Sequence, residues 1–297
     1  MENYEKTNVV VTIPVYRETL SADEERSFRR SCAVYGKKYP VVAFAPESVD
    51  MAVYVAIFPD LKIERFPDSY FRSIGDYSRL LLSEEFYERF ADFEWLLICQ
   101  LDVWVFRDEL EYWCSCNIDF LGAPIPARHD PGIKRDSDLY VSGNGGFSLR
   151  KISATLDVLR AGNVKMYTLK QLFSFFLNHL RSGDLIKALI PLGRMMGINN
   201  SREHCLRMLG EQGACEDMVF RLLFFAKISP YLTFASVETA SKFALDGGSV
   251  WRFFNQTSHI PSALHAWHRD EGREFMKFLE ERNCEDVRGA FPEKRPT

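Results

Sequence analysis

The sequence predicts an α/β fold, in which a central, mostly parallel sheet is flanked by helices. Short apolar strands alternate with amphipathic helices along the first hundred residues. The predicted strands Val9–Val15 and Trp95–Cys99 are almost entirely apolar, which is typical of a sheet buried on both faces. With 297 residues, 46% of them hydrophobic, the chain can bury a large core. We expect a single domain over residues 1–290, with a helical insertion at about 151–213 and a flexible tail at 291–297.

The first half contains the strands of the predicted sheet. They are expected at Val9–Val15, Pro40–Phe44, Leu61–Arg65 and Trp95–Cys99. Ser21, with Glu24 three residues later, has the spacing of a capping box and predicts a helix start. Further helices are expected within Ser48–Ile57 and, as one amphipathic segment, over Asp76–Phe90.

The second half is mostly helical in pattern between Arg150 and Glu216. Helices are expected at Ile152–Leu159, Leu169–Leu180 and Leu185–Met195. An apolar cluster in the second of these favours a helix–helix core, with a ligand groove or a membrane-facing stripe as the alternatives; its members are Phe173, Phe175, Phe176 and Leu180. The turn-rich stretch 127–137 is expected to be a mobile surface loop.

Composition and charge exclude several classes of protein. A net charge of −4 lacks the basic face of a nucleic-acid-binding protein. The longest apolar run, Trp95–Phe106, is interrupted by Gln100 and Asp102 and is too short for a transmembrane helix. Seven scattered cysteines and an amino terminus without a signal-peptide pattern predict a cytoplasmic protein with incidental thiols.

Two segments hold residue types that fit the binding of a phosphorylated ligand. Asp102 follows the apolar strand Trp95–Cys99, where ligands of α/β sheets bind. A carboxylate there either holds a divalent cation against a diphosphate or caps a turn. The segment Val141–Arg150 has three glycines in four positions, which allows either close approach of a ligand to the backbone or simply a tight turn.

Two later segments hold candidates for chemistry. Glu216 and Asp217 precede an apolar helix, so they either complement its amino terminus or supply a general base. His265 lies two residues before Trp267, and the pair could bind a metal or phosphate and stack on a sugar. A lone histidine is more often structural.

The order of these four segments resembles that of GT-A glycosyltransferases, and the chain is most similar to an uncharacterised bacterial family of such sugar transferases. The resemblance lies in short stretches: Val10–Tyr16, Asp76–Leu82, Gln100–Asp102, Asp119–Pro124, Gly143–Arg150, Glu216–Asp217, Ser236–Glu238 and His265–Trp267. It implies transfer of a sugar from a nucleotide-diphosphate donor, with uridine as the expected base, to a hydroxyl of a glycan or glycolipid. It further implies a place in bacterial surface polysaccharide assembly, with peripheral contact at the inner membrane left open.

The resemblance also implies roles for individual residues. Donor binding falls to Thr12, Pro14, Tyr16, Arg79, Gln100, Asp102, Asn144, Gly145 and Gly146. Asp102 and His265 would hold Mn²⁺ or Mg²⁺, and Trp267 would contact the acceptor. In an inverting enzyme Asp217 would be the catalytic base and Glu216 would orient sugar or base, whereas a retaining enzyme needs no such base.

One departure from the family pattern leaves alternatives open. The usual D-x-D reads Gln100-Leu101-Asp102, so the first acid is an amide. Weaker metal binding, or a cation-independent site that uses Arg79 and His265, are the alternatives to full metal dependence. A non-catalytic relative that binds carbohydrate or nucleotide sugar is the alternative function. A sugar nucleotidyltransferase is a further one, although the residues after the first strand, Val15–Thr19, lack the Gly-rich basic loop usual there.

Overall fold

The computed structural model describes residues 8–127, 138–161, 169–196, 198, 215–225, 230–282 and 284–285. The tail at 291–297, nearly all of the expected surface loop at 127–137 and the insertion segments 162–168 and 199–214 lie outside the described residues.

A six-stranded sheet forms the centre of the molecule, in the order β3-β2-β1-β4-β9-β6. Neighbouring strands are parallel from β3 through β4, while β9 is antiparallel to both β4 and β6. The predicted α/β class, with a central parallel-rich sheet flanked by helices, is therefore confirmed. The strands are β1 (Val9–Pro14), β2 (Val41–Pro46), β3 (Lys62–Phe66), β4 (Trp95–Cys99), β6 (Phe120–Gly122) and β9 (Phe147–Lys151).

Both faces of this sheet are buried. In β1, Val9, Val11 and Ile13 pack into one apolar core, while Val10 points into a second core on the other face. Side chains alternate across a strand, so an all-apolar strand fills two cores at once. This accounts for the uninterrupted apolar runs of the sequence.

Helices cover the sheet. They are α1 (Ala22–Tyr35), α2 (Ala52–Ile57), α3 (Ile74–Leu81), α4 (Glu84–Glu88), α5 (Leu110–Cys114), α6 (Ile152–Arg160) and α9 (Glu216–Phe225), with a short 3-10 helix at Asp68–Tyr70. Of these, α1, α3 and α4 start at a serine whose side chain accepts a backbone hydrogen bond from the first turn. The capping box predicted at Ser21 and Glu24 is confirmed.

The single helix expected over residues 76–90 is wrong. The chain forms α3 and α4 there, because the Ser83 hydroxyl accepts a hydrogen bond from the Phe86 N–H and starts a new helix.

A separate, smaller sheet packs beside the main one. It has the order β10-β11-β5, with β11 parallel to β10 and antiparallel to β5. Its own apolar core includes Trp104, Leu264, Trp267 and Phe275. The elements of this part are β5 (Val103–Val105), α10 (Val237–Phe243), β10 (Ala244–Asp246), α11 (Val250–Thr257), β11 (Ala263–His265) and α12 (Asp270–Glu281); a two-stranded ribbon is formed by β7 (Ile125–Pro126) and β8 (Tyr140–Val141).

The insertion forms an antiparallel hairpin of α7 (Leu169–Arg181) and α8 (Leu185–Met195). The two helices pack against each other, and Leu172 and Ala188 are buried. The expected helix–helix core of phenylalanines is wrong for most of its members, because Phe173, Phe175 and Leu180 are exposed. In the part of the chain that the structure describes, no helix is both long and apolar enough to span a membrane.

Candidate functional site

One cleft of about 800 Å³ lies where β1 and β4 end. Ligand sites in α/β folds lie at this carboxyl edge of the sheet. The cleft brings together predicted residues from five distant parts of the sequence: Pro14, Tyr16, Gln100, Asp102, Asn144, Gly145, Gly146, Glu216, Asp217 and His265.

His265 lies between two carboxylates at one end of the cleft. Its Nδ1 is 2.9 Å from Oδ2 of Asp246, and its Nε2 is 3.4 Å from Oδ1 of Asp102. The smaller sheet causes this arrangement, because its register pairs His265 with Asp246 on one side and with Val103 on the other. Asp102 immediately precedes Val103, so the imidazole bridges the two acids.

The two acids hold the imidazole in its protonated form. Burial lowers the pKa of His265, but hydrogen bonds and charge from Asp102 and Asp246 outweigh burial and raise it to about 10. In the opposite sense, burial raises the pKa of Asp102, yet the bond to His265 and its charge bring that pKa below the ordinary value.

Asp246 is a site residue that sequence reasoning missed. It ends the short apolar strand β10 in the same way that Asp102 follows β4. An acid at the end of an apolar strand is the sequence pattern that could have identified Asp246 as a site residue. A strand of three residues is too short to stand out from the sequence alone.

Gly146 is required by the position of His265. A Cβ on Gly146 would lie 2.4 Å from His265 Nε2, and one on Gly145 would lie 2.5 Å from Glu216 Oε1. The sequence interpretation assigned these glycines to the approach of a donor sugar. In the structure, both make room for side chains of the site, and the side chain of Asn144 holds the turn by accepting from the Gly146 N–H at 2.8 Å.

Glu216 is anchored in the same cleft, beside Gly145. Its Oε1 accepts a hydrogen bond from Arg150 Nη2 at 2.8 Å, and its Oε2 accepts one from the Ser78 hydroxyl at 3.3 Å. Burial raises the pKa of Glu216 although the guanidinium of Arg150 opposes this effect. Arg150 is fully buried and also donates to the Tyr87 hydroxyl at 2.9 Å. Arg150 therefore fixes where the Glu216 carboxylate lies.

Asp217 is the neighbouring acid at the start of α9. Its Oδ2 accepts from the Gly145 N–H at 3.1 Å and lies 3.4 Å from Arg221 Nη1. Its Oδ1 accepts from the Met218 N–H at 2.6 Å. The glycine-rich turn and the first turn of α9 therefore fix where the Asp217 carboxylate lies.

Exposed groups form the mouth of the cleft. The ring of Tyr16 is half exposed, and its hydroxyl lies 3.3 Å from Glu24 Oε1. Arg17 pairs with Glu24, and Arg269 Nη2 lies 3.7 Å from Asp102 Oδ2. Both arginines line the cleft, although the sequence prediction assigned neither of them to the site.

Three predicted site residues lie elsewhere. The hydroxyl of Thr12 is buried and donates to the carbonyl of Leu97, so it bonds β1 to β4 and lies outside the cleft lining. The guanidinium of Arg79 lies 2.5 Å from Asp76 on α3, outside the cleft lining.

Trp267 is the third correction. Its ring is buried against Trp104, and its Nε1 donates to the hydroxyl of Ser27 at 2.7 Å. An indole buried in this way has no free face for an acceptor sugar. Its role is to pack the end of β11 against α1.

Asp102 and His265 fit a divalent cation such as Mn²⁺ or Mg²⁺ once the Nε2 proton of His265 is released, because only the neutral imidazole offers a lone pair to a metal. The carboxylate and the imidazole Nε2 face the same cleft, and Asp246 engages Nδ1, as an outer carboxylate does for histidines that ligate metals. Among the described residues no three His, Cys, Asp or Glu side chains converge as ligands. Substrate phosphate oxygens and water would therefore complete the coordination, which is usual for Mg²⁺.

Three solved structures are similar to this chain at low identity. The galactosyltransferase LgtC in complex with donor and acceptor sugar analogues is 13% identical, with a TM-score of 0.47 over 92% of this chain and 95% of that one. An active-site mutant of LgtC is 14% identical, with a TM-score of 0.46 over the same shares. Core-mannan synthase A from Aspergillus fumigatus, in a form with Mn and GDP, is 11% identical, with a TM-score of 0.40 over 73% of this chain and 72% of that one. With TM-scores of this size, the roles of side chains follow only from the geometry described above.

No curated protein matches the chain. A family model described as a protein of unknown function, DUF5672, matches residues 60–265, which include Asp102, the glycine-rich turn, the acidic pair and His265. The chain belongs to that family.

Proposed function

We propose that the chain is a glycosyltransferase that moves a sugar from a nucleotide-diphosphate donor to a hydroxyl group. One observation supports this above all others: a single cleft holds the Asp102–His265 pair and, beside the glycine-rich turn, the Glu216–Asp217 pair. The first pair suits a diphosphate and its counter-ion. The second suits the hydroxyl that attacks the sugar.

The donor would lie along the mouth and the Asp102 end of the cleft. Pro14 and the exposed ring of Tyr16 would border the base, for which uridine remains the expectation from the sequence resemblance. Arg17 and Arg269 replace Arg79 as the cations that would face the diphosphate, because both line the cleft. Asp102 and His265 would hold Mn²⁺ or Mg²⁺, which supplies Lewis-acid stabilisation of the departing diphosphate.

The chemical step needs a base if it inverts the anomeric carbon. The acceptor oxygen forms a bond to that carbon, the bond from carbon to the diphosphate oxygen breaks, and Asp217 takes the hydroxyl proton. Glu216, fixed by Arg150 and Ser78, would orient the sugar. The acceptor class, a glycan or glycolipid of a bacterial surface polysaccharide, is supported by the sequence resemblance alone.

The second candidate is a non-catalytic protein that binds nucleotide sugars. Gln100 favours it, because this amide lines the cleft where a transferase usually has its first acid. A sugar nucleotidyltransferase stays a weaker alternative, since Val15–Thr19 lacks a glycine-rich basic loop. Turnover of the donor separates the first two candidates.

The test compares release of nucleoside diphosphate by the wild-type chain and by Asp217→Asn. The substrates are nucleotide sugars, supplied with a mixture of mono- and oligosaccharide acceptors. Loss of general-base assistance should lower the rate by about 10²–10⁴-fold. Donor affinity, measured by calorimetry, should change little, because Asp217 lies at the acceptor side of the proposed reaction.

Asp92→Asn is the matched control, because Asp92 is an exposed acid outside the cleft lining. Equal rates for the wild-type chain and Asp217→Asn would remove Asp217 from the mechanism. Donor binding without turnover in the wild-type chain would favour the binding protein.

A further inference from the structure

Exposed apolar side chains are concentrated in the α7–α8 hairpin. Among the described residues, sixteen large apolar or tyrosine side chains are exposed, and ten of them lie in residues 169–198. Scattered surface hydrophobics are normal, but a contiguous patch indicates an interaction site. The ten are Leu169, Phe173, Phe175, Leu180, Leu185, Leu189, Ile190, Leu192, Met196 and Ile198.

Seven of the ten form one continuous surface, here named the apolar face. On α7 they recur at the spacing of one helix face, and the same holds on α8. The apolar face consists of Leu169, Phe173 and Leu180 on α7, and of Leu185, Leu189, Leu192 and Met196 on or directly after α8.

Helix geometry places both rows on the same side of the hairpin. Phe173 follows the buried Leu172 by one residue, and Leu189 follows the buried Ala188 by one residue. Phe173 and Leu189 are thus each turned by about 100° from the buried residue of their helix, in the same sense about the helix axis. Because the two helices run antiparallel, equal turns bring both rows to one side.

The hairpin is also the cationic part of an acidic chain. Residues 169–198 contain two lysines, two arginines and one aspartate, a net charge of +3, whereas the whole chain carries −4. Lys170 and Arg181 follow Leu169 and Leu180 by one residue and so flank the outer edge of the apolar face. Asp184, the one acid, pairs with Lys187.

We propose that the apolar face docks on an anionic lipid bilayer, with the hairpin lying flat in the headgroup region. Leucine and phenylalanine would enter the acyl boundary, while the flanking Lys170 and Arg181 would reach the lipid phosphates. A helix of 13 residues is about 20 Å long, so α7 cannot cross the bilayer but can lie along it.

A second copy of the chain fits the same face less well. Pairing two apolar faces would bring the cationic edges of two hairpins together, and Asp184 is the single acid of this segment that could compensate them. Anionic lipid offers both an apolar interior and the opposite charge. The proposed docking does not depend on the catalytic assignment, so its test needs no turnover.

The test is co-sedimentation of the full chain with vesicles. One vesicle contains phosphatidylcholine alone, and the other contains phosphatidylcholine with phosphatidylglycerol. We expect binding to the anionic vesicles that weakens as salt is added, because salt screens the lysines and arginines. Leu189→Gln should lower the partition coefficient by about tenfold or more, since one leucine no longer enters the lipid.

The neighbouring residue provides the matched control. Ile190 is 55% exposed and Leu189 is 63% exposed, but Ile190 lies on the other side of α8. Ile190→Gln should change the partition coefficient by less than about twofold, and thermal unfolding of both variants checks that the fold is retained. Absence of vesicle binding by the wild-type chain would overturn the proposal. Equal decreases of the partition coefficient in Leu189→Gln and Ile190→Gln would also overturn it. Sedimentation that shows a dimer broken by Leu189→Gln would identify the face as an interface between copies instead.

Discussion

Each ring nitrogen of His265 faces a carboxylate, and the two carboxylates stabilise the protonated imidazole in the folded state. The imidazole stays protonated at neutral pH because Asp102 and Asp246 raise its pKa to about 10, against 6.5 as the ordinary value. A pKa raised on folding means that the folded state binds the extra proton. The resulting stabilisation is fully present below pH 6.5 and is lost as the pH rises through about 10.

A dependence of stability on pH follows from this histidine. Between about pH 7 and pH 9, the free energy of unfolding contributed by His265 should fall by about 1.4 kcal/mol per pH unit, for one proton held by the folded state alone. The measurement is urea unfolding of the wild-type chain and of His265→Gln across this range, without divalent cations. The difference between the two should shrink as the pH rises. A difference that stays constant would show that His265 is not held as an imidazolium.

Gly146 tests whether the position of His265 matters for cation binding. Gly146→Ala places a methyl group 2.4 Å from His265 Nε2, so the imidazole must leave its present position. We expect Mn²⁺ affinity, measured by calorimetry in the presence of UDP, to fall by about 10–100-fold, as for other disturbed metal–ligand positions. Gly193→Ala is the control, because a Cβ there meets no atom within 4 Å. Unchanged Mn²⁺ affinity in Gly146→Ala would argue against His265 as a ligand.

At the scale of elements, the sequence predicted buried strands and capped helices well. The strands β1 and β4 are apolar on both faces, and α1 starts with both halves of a capping box, so local pattern and tertiary structure agree. The break between α3 and α4 was missed, because Ser83 lies inside an amphipathic pattern that continues on both sides. Its capping hydrogen bond depends on a local backbone geometry that the apolar periodicity does not show.

Trp267 gives a prediction at this scale, because it joins the smaller sheet to α1. Its indole N–H bonds to the buried hydroxyl of Ser27. Trp267→Phe should lower the free energy of unfolding by about 1–3 kcal/mol, the cost of leaving a buried polar group unpaired. A double-mutant cycle with Ser27→Ala should show that the two effects are not additive. A changed acceptor KM with unchanged stability would instead restore the acceptor role predicted from the sequence.

At the scale of the whole molecule, the cleft combines parts that are distant in sequence. Most predicted site residues do meet there, because acids and glycines at the carboxyl ends of strands share one edge of a sheet. Thr12 and Trp267 do not, since the direction of a side chain from a strand or a turn is set by tertiary packing. Asp246 and Arg150 were missed for the same reason: each acts on a residue that only the fold brings near.

The measurement that tests the central claim most directly is thermal unfolding with a panel of nucleoside diphosphates and nucleotide sugars, each with and without Mn²⁺. A ligand that binds only the folded state adds about 2.7 kcal/mol of stability at a hundredfold excess over its Kd. We predict a Mn²⁺-dependent rise of the midpoint with uridine nucleotides, lost in Asp102→Ala and kept in the surface control Asp92→Ala. A rise of the midpoint that is the same with and without Mn²⁺ would support donor binding in this cleft but would show that the cation is not needed for it. No shift with any nucleotide would contradict the proposal that this cleft binds a nucleotide-sugar donor.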